Sequence, residues 1–249
     1  MPNWCNNYLI VKGEVEELQQ LKNDLKSEYT NFDFNKIIDY KSFSDTKKDE
    51  WKNLPTKEKT YWVKDETKEE NGFRQWVFNN GGYIWCVNNW GTKWNTDDNV
   101  SVNFNKDKKE LTYSFASAWS PPTELILTLI EKYKSLYFDF EYEETGMGFA
   151  GEITGEKGEV TSEEEYNIEC FECPNCEHTL IKKEYEEETE CQDCGEIYTK
   201  EELKREEIIN ELADSLYSED YETIKTITGK KPNNQVEAER IIEQWKKEN

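Results

Sequence analysis

The chain is short of histidine, of basic charge and of continuous apolar sequence. One of its 249 residues is histidine, and 31 lysines and arginines stand against 54 aspartates and glutamates, for a net charge of −23. Without histidine, residues 1–160 lack the side chain most used for general acid–base work. The deficit of basic charge sets the surface against phosphate backbones, so direct nucleic-acid binding by the whole chain is disfavoured. No apolar run approaches the roughly 18 residues that a membrane span needs. Residues 1–25 lack the basic-then-apolar order of a secretory signal. No phosphate-cradling glycine loop occurs either. Gly146-Met147-Gly148 lacks the third glycine and reads as a hairpin turn. These absences predict a soluble, intracellular protein that is not an enzyme.

Aromatic side chains are plentiful. Low hydrophobicity with high charge is the signature of disorder, but nine Trp, 14 Tyr and 11 Phe supply the apolar payload of a real core. They are unevenly placed. Eight of the nine Trp precede residue 120, whereas residues 161–249 hold 26 of the acids against 11 of the bases. The shift predicts a sheet domain over 1–160 with an insertion at about 41–72, a small metal-binding module over 161–200, and an acidic helical tail over 201–249.

Trp4–Val11 reads as a strand, and Val15, Leu18, Leu21 and Leu25 give the following segment one apolar helical stripe. Ile84–Val87 and Gly91–Asn95 read as strands or strand edges. Val100–Asn105 and Leu111–Ala118 make a strand pair. Ser120-Pro121-Pro122 predicts a helix over Thr123–Tyr133 with Ser120 as its N-cap. Leu136–Glu143 and Phe149–Thr154 are two further strands. The order predicts an α+β fold, an antiparallel sheet with two helices on one face. In the tail, Thr199-x-x-Glu202 and Asn234-x-x-Glu237 are capping-box patterns that open amphipathic helices. Packing of their stripes within the chain is preferred over a partner's surface.

Five of the seven cysteines cluster. Cys173-Pro-Asn-Cys176 and Cys191-Gln-Asp-Cys194-Gly195 are two C-x-x-C knuckles, a spacing that lets four thiolates converge on one tetrahedral zinc ion. A closed shell of four sulfurs predicts a structural zinc. The disulfide alternative is disfavoured in a reducing compartment. Cys170 offers a second register with Cys173, and His178 is an alternative ligand. Pro174 favours the Cys173/Cys176 pair. Cys5 and Cys86 read as buried small hydrophobes. The acidic run Glu184–Glu188 between the knuckles would repel phosphate.

Four motifs then carry a resemblance: Met1-Pro2-Asn3-Trp4-Cys5-x-Asn7, Asn89-Trp90-Gly91-Thr92-Lys93-Trp94, Phe115-x-x-Ala118-Trp119-Ser120-Pro121-Pro122, and Glu144-x-Gly146-x-x-Phe149-x-Gly151. Over residues 1–155 the chain resembles a family of phages and conjugative plasmids with a YubB-type ferredoxin-like domain. That resemblance implies a ferredoxin-like fold and a mobile-element origin, hence the cytoplasm of a host cell. It brings no established enzyme activity. Asn95 stands where the family usually has aspartate.

Asn89, Trp90, Lys93, Trp94, Trp119 and Ser120 are the candidate ligand residues. They suit the clamping of a flat heterocycle while Lys93 meets a phosphate. Trp90, Trp94 and Trp119 are equally the material of a core, with Gly91 and Pro121 shaping turns. The preferred expectation is a counter-defence protein that sequesters a nucleotide-derived signal. The alternative is an acidic decoy that mimics DNA charge and inhibits a host nuclease or restriction enzyme.

Overall fold

A computed structural model describes residues 3–62, 69–96, 99–183 and 187–249. Met1 and Pro2 of the opening motif, and Glu184, Tyr185 and Glu186 of the acidic run, lie outside the described residues, as do the side chains of Tyr61 and Trp62. The chain divides into two compact units, Met1–Tyr166 and Asn167–Asn249.

The first unit is α+β. Strand β1 (Trp4–Lys12) is followed by helix α1 (Val15–Leu25), then by a long helical insertion. Strands β2 (Ser101–Asn105) and β3 (Glu110–Ala118), helix α7 (Thr123–Lys132) and strands β4 (Tyr137–Glu144) and β5 (Phe149–Glu156) complete it, with the first part of β6 (Glu159–Glu172). The strand order is β2-β3-β1-β4-β5-β6. β1 lies antiparallel to both β3 and β4. Its first four strands and two helices therefore run βαββαβ, the ferredoxin-like connectivity.

Alternation along β1 decides which face is core. Cys5, Asn7, Leu9 and Val11 are buried; Cys5 stands opposite Ser117, and the other three stand opposite Phe115, Tyr113, Phe138 and Phe140 on the neighbouring strands. Leu18, Leu21 and Leu25 of α1 and Leu125, Ile126, Leu129 and Ile130 of α7 close the same core. Asn7 is the polar exception. Its amide donates to the Cys5 and Phe115 carbonyls and to the Ser117 hydroxyl, which satisfies it inside the sheet.

The insertion between α1 and β2 contains a 3-10 turn (Phe34–Lys36) and helices α2 (Tyr40–Thr46), α3 (Lys48–Lys52), α4 (Thr56–Trp62), α5 (Glu69–Val77) and α6 (Tyr83–Trp90), with a kink through Phe78–Gly82 joining the last two. Ile84–Val87 is thus helix, and Gly91–Asn95 is loop, where strands were expected. The β-branched and aromatic residues misled. Burial recurs at Gly82, Cys86 and Trp90, a spacing of four, while Ile84 and Val87 are exposed. Gly91 ends α6 at φ 81 with its N–H on the Val87 carbonyl, a left-handed cap that glycine adopts at least cost.

Ser120 is not the N-cap of α7. Pro122 holds that position, and the Ser120 hydroxyl donates to the Gly91 carbonyl at 2.6 Å. With two prolines intervening, Ser120 is too far from the first helical turn to accept its N–H groups.

In the second unit the end of β6 pairs with β7 (Thr179–Lys183), and β8 (Glu188–Glu190) pairs with β9 (Ile197–Thr199). Helices α8 (Lys200–Tyr217), α9 (Tyr221–Thr228) and α10 (Gln235–Glu248) follow. The capping box at Thr199 is complete in both directions. At α10 the Asn234 side chain accepts from the Glu237 N–H, while the Glu237 carboxylate reaches back to Asn233. The three helices bury Leu212, Ile224, Ala238 and Ile242 against one another. The apolar stripes of the tail are therefore covered from within the unit. Among the described residues no helix is long and apolar enough to cross a membrane.

Candidate metal centre and ligand pocket

Each C-x-x-C knuckle is the turn of a hairpin. Residues 173–178 join β6 to β7, and residues 191–196 join β8 to β9. The two turns share one hydrogen-bond plan. Cys173 N–H donates to the His178 carbonyl and Glu177 N–H to the Cys173 carbonyl; Cys191 and Glu196, and Gly195 and Cys191, repeat it. Both turns need a left-handed residue after the second cysteine. Gly195 takes it at φ 74 and Glu177 at φ 61. In the first turn the Asn175 and Cys176 N–H groups point at the Cys173 sulfur.

The four sulfurs of Cys173, Cys176, Cys191 and Cys194 lie within 4.8 Å of one another. Cys173 and Cys194 are 3.7 Å apart, and Cys176 and Cys191 3.5 Å. A tetrahedron of sulfurs at the usual zinc–sulfur distance has edges of about 3.8 Å. The group therefore fits a closed thiolate shell around one metal ion. Its electrostatics agree. Burial opposes ionisation of Cys173, but the Tyr198 hydroxyl at 3.6 Å and the N–H groups of Asn175 and Cys176 outweigh it and draw the thiol down to about 6. The His178 N–H favours the Cys176 thiolate, yet burial and the other three sulfurs push that thiol up to about 12. Thiolates this close repel one another, and a cation among them would relieve that repulsion. Cys170 stays outside the group, on β6 opposite Ile181. His178 also lies outside it, with Nδ1 3.1 Å from the Asp193 carboxylate of the other knuckle.

The first unit contains a cavity of about 750 Å³. Tyr40, Phe73, Phe78, Trp90 and Trp94 give it aromatic walls, and Lys41, Lys48 and Arg74 bring positive charge to its lining. Trp90 is held edge-on by Phe34 and Trp85 and tilted against Tyr40, with its ring N–H on the Ile38 carbonyl at 2.9 Å. One wall is fixed by Asp33. Its Oδ1 accepts from the Asn35 N–H, the Asn35 amide and, at 2.7 Å, the Asn95 amide. Asn95 in turn accepts from the Phe34 N–H. Burial pushes the Asp33 carboxyl up, but the hydrogen bonds from Asn95 and Asn35 outweigh it and hold it below the ordinary carboxylate range. Cys86 also lines the cavity, and burial raises its thiol to about 12. Cys5 is fully buried and raised to about 12 by the same cause.

Of the six candidate ligand residues, Trp90 and Trp94 line this cavity. Lys93 lies over the Trp94 ring at 4.7 Å. The Asn89 amide is turned back onto the Trp85 carbonyl at 2.8 Å. Ser120 braces the loop: its hydroxyl holds Gly91 while the Thr92 hydroxyl donates to the Ala118 carbonyl. Trp119 takes φ 73, donates its N–H to the Asn3 carbonyl and is 42% exposed. The NWGTKW and AWSPP motifs thus stitch two loops together and present Lys93 and Trp94. Tyr40, Phe73, Lys41 and Arg74 escaped the sequence reading. They are scattered through a charged insertion, and no spacing links them before it folds.

No curated protein matches this chain. A crystal structure of the protein api92 from Yersinia pseudotuberculosis is similar at 10% identity over 67% of this chain and 99% of that one, with a TM-score of 0.43. Residues 89–177 match the family described as the ferredoxin-like domain in Api92-like protein, a span that begins at the NWGTKW motif and ends in the first cysteine knuckle.

Proposed function

We propose that this chain is a non-enzymatic binding protein of a mobile genetic element, and that its first unit sequesters a nucleotide-derived small molecule in the aromatic cavity as a counter to host defence. The observation that carries the reading is the lining itself. Its volume of about 750 Å³ lies within the range of small-molecule sites, and its rings offer flat faces for a base. Lys48 and Arg74 are held by exposed ion pairs to Asp45 and Glu70, which a phosphate can displace at little cost. Lys41 makes no close ion pair among the described residues and acts on Asp45 only at longer range. The raised thiol of Cys86 supports binding without covalent chemistry.

In the second unit the same reading assigns a structural zinc to Cys173, Cys176, Cys191 and Cys194. Zinc there would organise the two hairpins and leave no open coordination position for catalysis.

The competing reading is the acidic decoy, favoured by the concentration of 26 acids in residues 161–249. Thermal-shift and tryptophan-fluorescence titrations separate the two, with nucleoside monophosphates, cyclic mononucleotides and cyclic dinucleotides at low ionic strength. Sequestration predicts a shift with at least one of these and its loss in Trp94→Ala. Silence across the set, with no nucleotide released by heat from protein exposed to infected-cell extract, sinks the pocket. Inhibition of a host nuclease that disappears on deletion of residues 161–249 supports the decoy.

A further inference from the structure

The ferredoxin-like layering covers one face of the first unit's sheet with helices and leaves the other open. Strand parity identifies the open face. On β1 it carries Trp4, Asn6, Tyr8, Ile10 and Lys12, the residues that alternate with the buried set. Trp4 and Tyr8 are 45% and 44% exposed, whereas Cys5 and Asn7, which point to the other face, are buried. Register then builds outwards. Asn6 stands opposite Glu143, Tyr8 opposite Glu141 and Ile10 opposite Asp139 on β4, and Glu141 stands opposite Glu152 on β5. On the other side Tyr8 faces Ser114 and Asn6 faces Ala116, small residues that leave the tyrosine and tryptophan standing clear. Two half-exposed aromatic rings therefore rise beside four carboxylates on one continuous surface. Trp94 extends the aromatic side, with its ring edge-on to Trp4 at 6.4 Å.

The field on this face is felt by its own side chains. Burial, then Asp139, Glu156 and Glu152, push the Tyr137 hydroxyl upward. Lys12 lies over the Tyr137 ring at one end of the strand. Phosphate chains and anionic lipid surfaces are repelled by such a field. Partner interfaces are anchored by tryptophan and tyrosine surrounded by a polar rim, and opposite charge sets the choice of partner.

We infer that the open face of the first unit's sheet, centred on Trp4 and Tyr8 and flanked by Asp139, Glu141, Glu143 and Glu152, is a docking surface for a lysine- or arginine-rich protein segment that carries apolar anchors. The aromatic rings take the anchors, and the carboxylate columns take the cations. The inference needs neither a ligand in the cavity nor the acidic second unit, and Trp94 is the one residue named here that also lines the cavity.

The test uses the full chain and a fluorescein-labelled peptide of alternating lysine and leucine, followed by anisotropy. The pair Trp4→Ser with Tyr8→Ser is expected to weaken binding about tenfold or more. The set Asp139→Asn, Glu141→Gln and Glu143→Gln weakens it by a similar factor and flattens its salt dependence. The equally charge-reduced control Glu201→Gln, Glu239→Gln and Glu243→Gln on the helices of the second unit leaves affinity within about twofold. Circular dichroism shows that each variant is folded, and the carboxylate set carries the test alone where the aromatic pair is not. Equal binding by parent and open-face variants overturns the inference. So does equal affinity for plain oligolysine, which would reduce the effect to net charge. Self-association in sedimentation that Trp4→Ser with Tyr8→Ser abolishes overturns it in favour of a second copy of the chain.

Discussion

Phe32, Phe34, Phe138 and Phe140 of the first unit are fully enclosed in one continuous core that runs from the sheet through α1 and α7 into the insertion. The first unit adds a smaller cluster at Trp51, Trp76 and Val77, whereas the second unit has only small clusters. Phe171, Leu180 and Leu203 gather at the cysteines, and Leu212, Ile224, Ala238 and Ile242 gather among the three helices. Burial scales with the size of a core, so the first unit is sustained by packing, whereas neither cluster of the second is large enough to order its hairpins alone. Cys173 and Cys191 are themselves part of the cluster with Phe171, Leu180 and Leu203. The same contrast holds for polar groups. In the first unit Asn7, Asp33 and Asn95 are satisfied by short bonds inside the fold. In the second, the sulfurs of Cys173, Cys176, Cys191 and Cys194 crowd within 4.8 Å of one another, and Cys173 and Cys191 are buried.

The strongest way to break this comparison is to deny the four sulfurs the zinc proposed for them. Chelation, or Cys191→Ser, is expected to cost the second unit on the order of 10 kcal/mol of apparent stability. Hydrogen exchange would then lose protection at β7, β8 and β9 and keep it at β1, β3 and β4. Unchanged protection in the knuckles would show that the hairpins stand without metal. The reverse experiment strikes the first unit. Trp90→Ala removes a ring packed among Phe34, Tyr40 and Trp85, with an expected loss of about 3–5 kcal/mol. The zinc-to-protein ratio stays at that of the parent. A fall in that ratio would join two units that the contrast keeps apart.

Smaller changes sharpen it. Asn95→Asp deletes the amide that donates to Asp33 and sets two carboxylates face to face, at an expected cost of about 1–3 kcal/mol near neutral pH. The sign of the pH dependence is diagnostic. In the parent the lowered Asp33 carboxyl contributes stability above its unfolded range, which is lost as pH falls through the folded value. In the variant one carboxyl is raised, so its penalty shrinks as pH falls through the acid range. Urea midpoints across that range check this, and parallel curves for parent and variant would contradict the Asp33–Asn95 account. The least of the expected effects is a gain. Glu177→Gly relieves a left-handed glutamate in the first knuckle and is expected to stabilise the metal-loaded unit by about 1 kcal/mol. Gly195→Ala in the second knuckle loses a similar amount, read from denaturation midpoints.

Legibility from sequence follows the range of the interactions. The strand at Trp4–Lys12, the stripe of Leu18, Leu21 and Leu25, the capping box at Thr199 and the two knuckles are short-range patterns, and each appears where its residues predict. Segment 84–95 misled because its aromatic and β-branched composition favours strands, while tertiary burial at Cys86 and Trp90 selected a helix up to Trp90 and Gly91 turned the rest into a loop. Ser120 misled because a capping residue and a loop brace share one chemistry, and only the position of Gly91 tells them apart. The cavity was half visible. Trp90 and Trp94 stand in a motif, but Tyr40, Lys41, Phe73 and Arg74 come from α2 and α5 and meet the motif only across the fold.

Sequence by itself determined the α+β class, the concentration of acid in the last third and the four sulfurs that face one another, because charge, periodicity and knuckle spacing act over a few residues. Tertiary structure alone decided that Asn95 serves Asp33, that Ser120 holds a loop, that the insertion walls a cavity, and that Trp4 and Tyr8 rise on the uncovered side of the sheet. Those outcomes depend on which distant segments are brought into contact, and a linear pattern carries no distance between residues that the chain has yet to bring together.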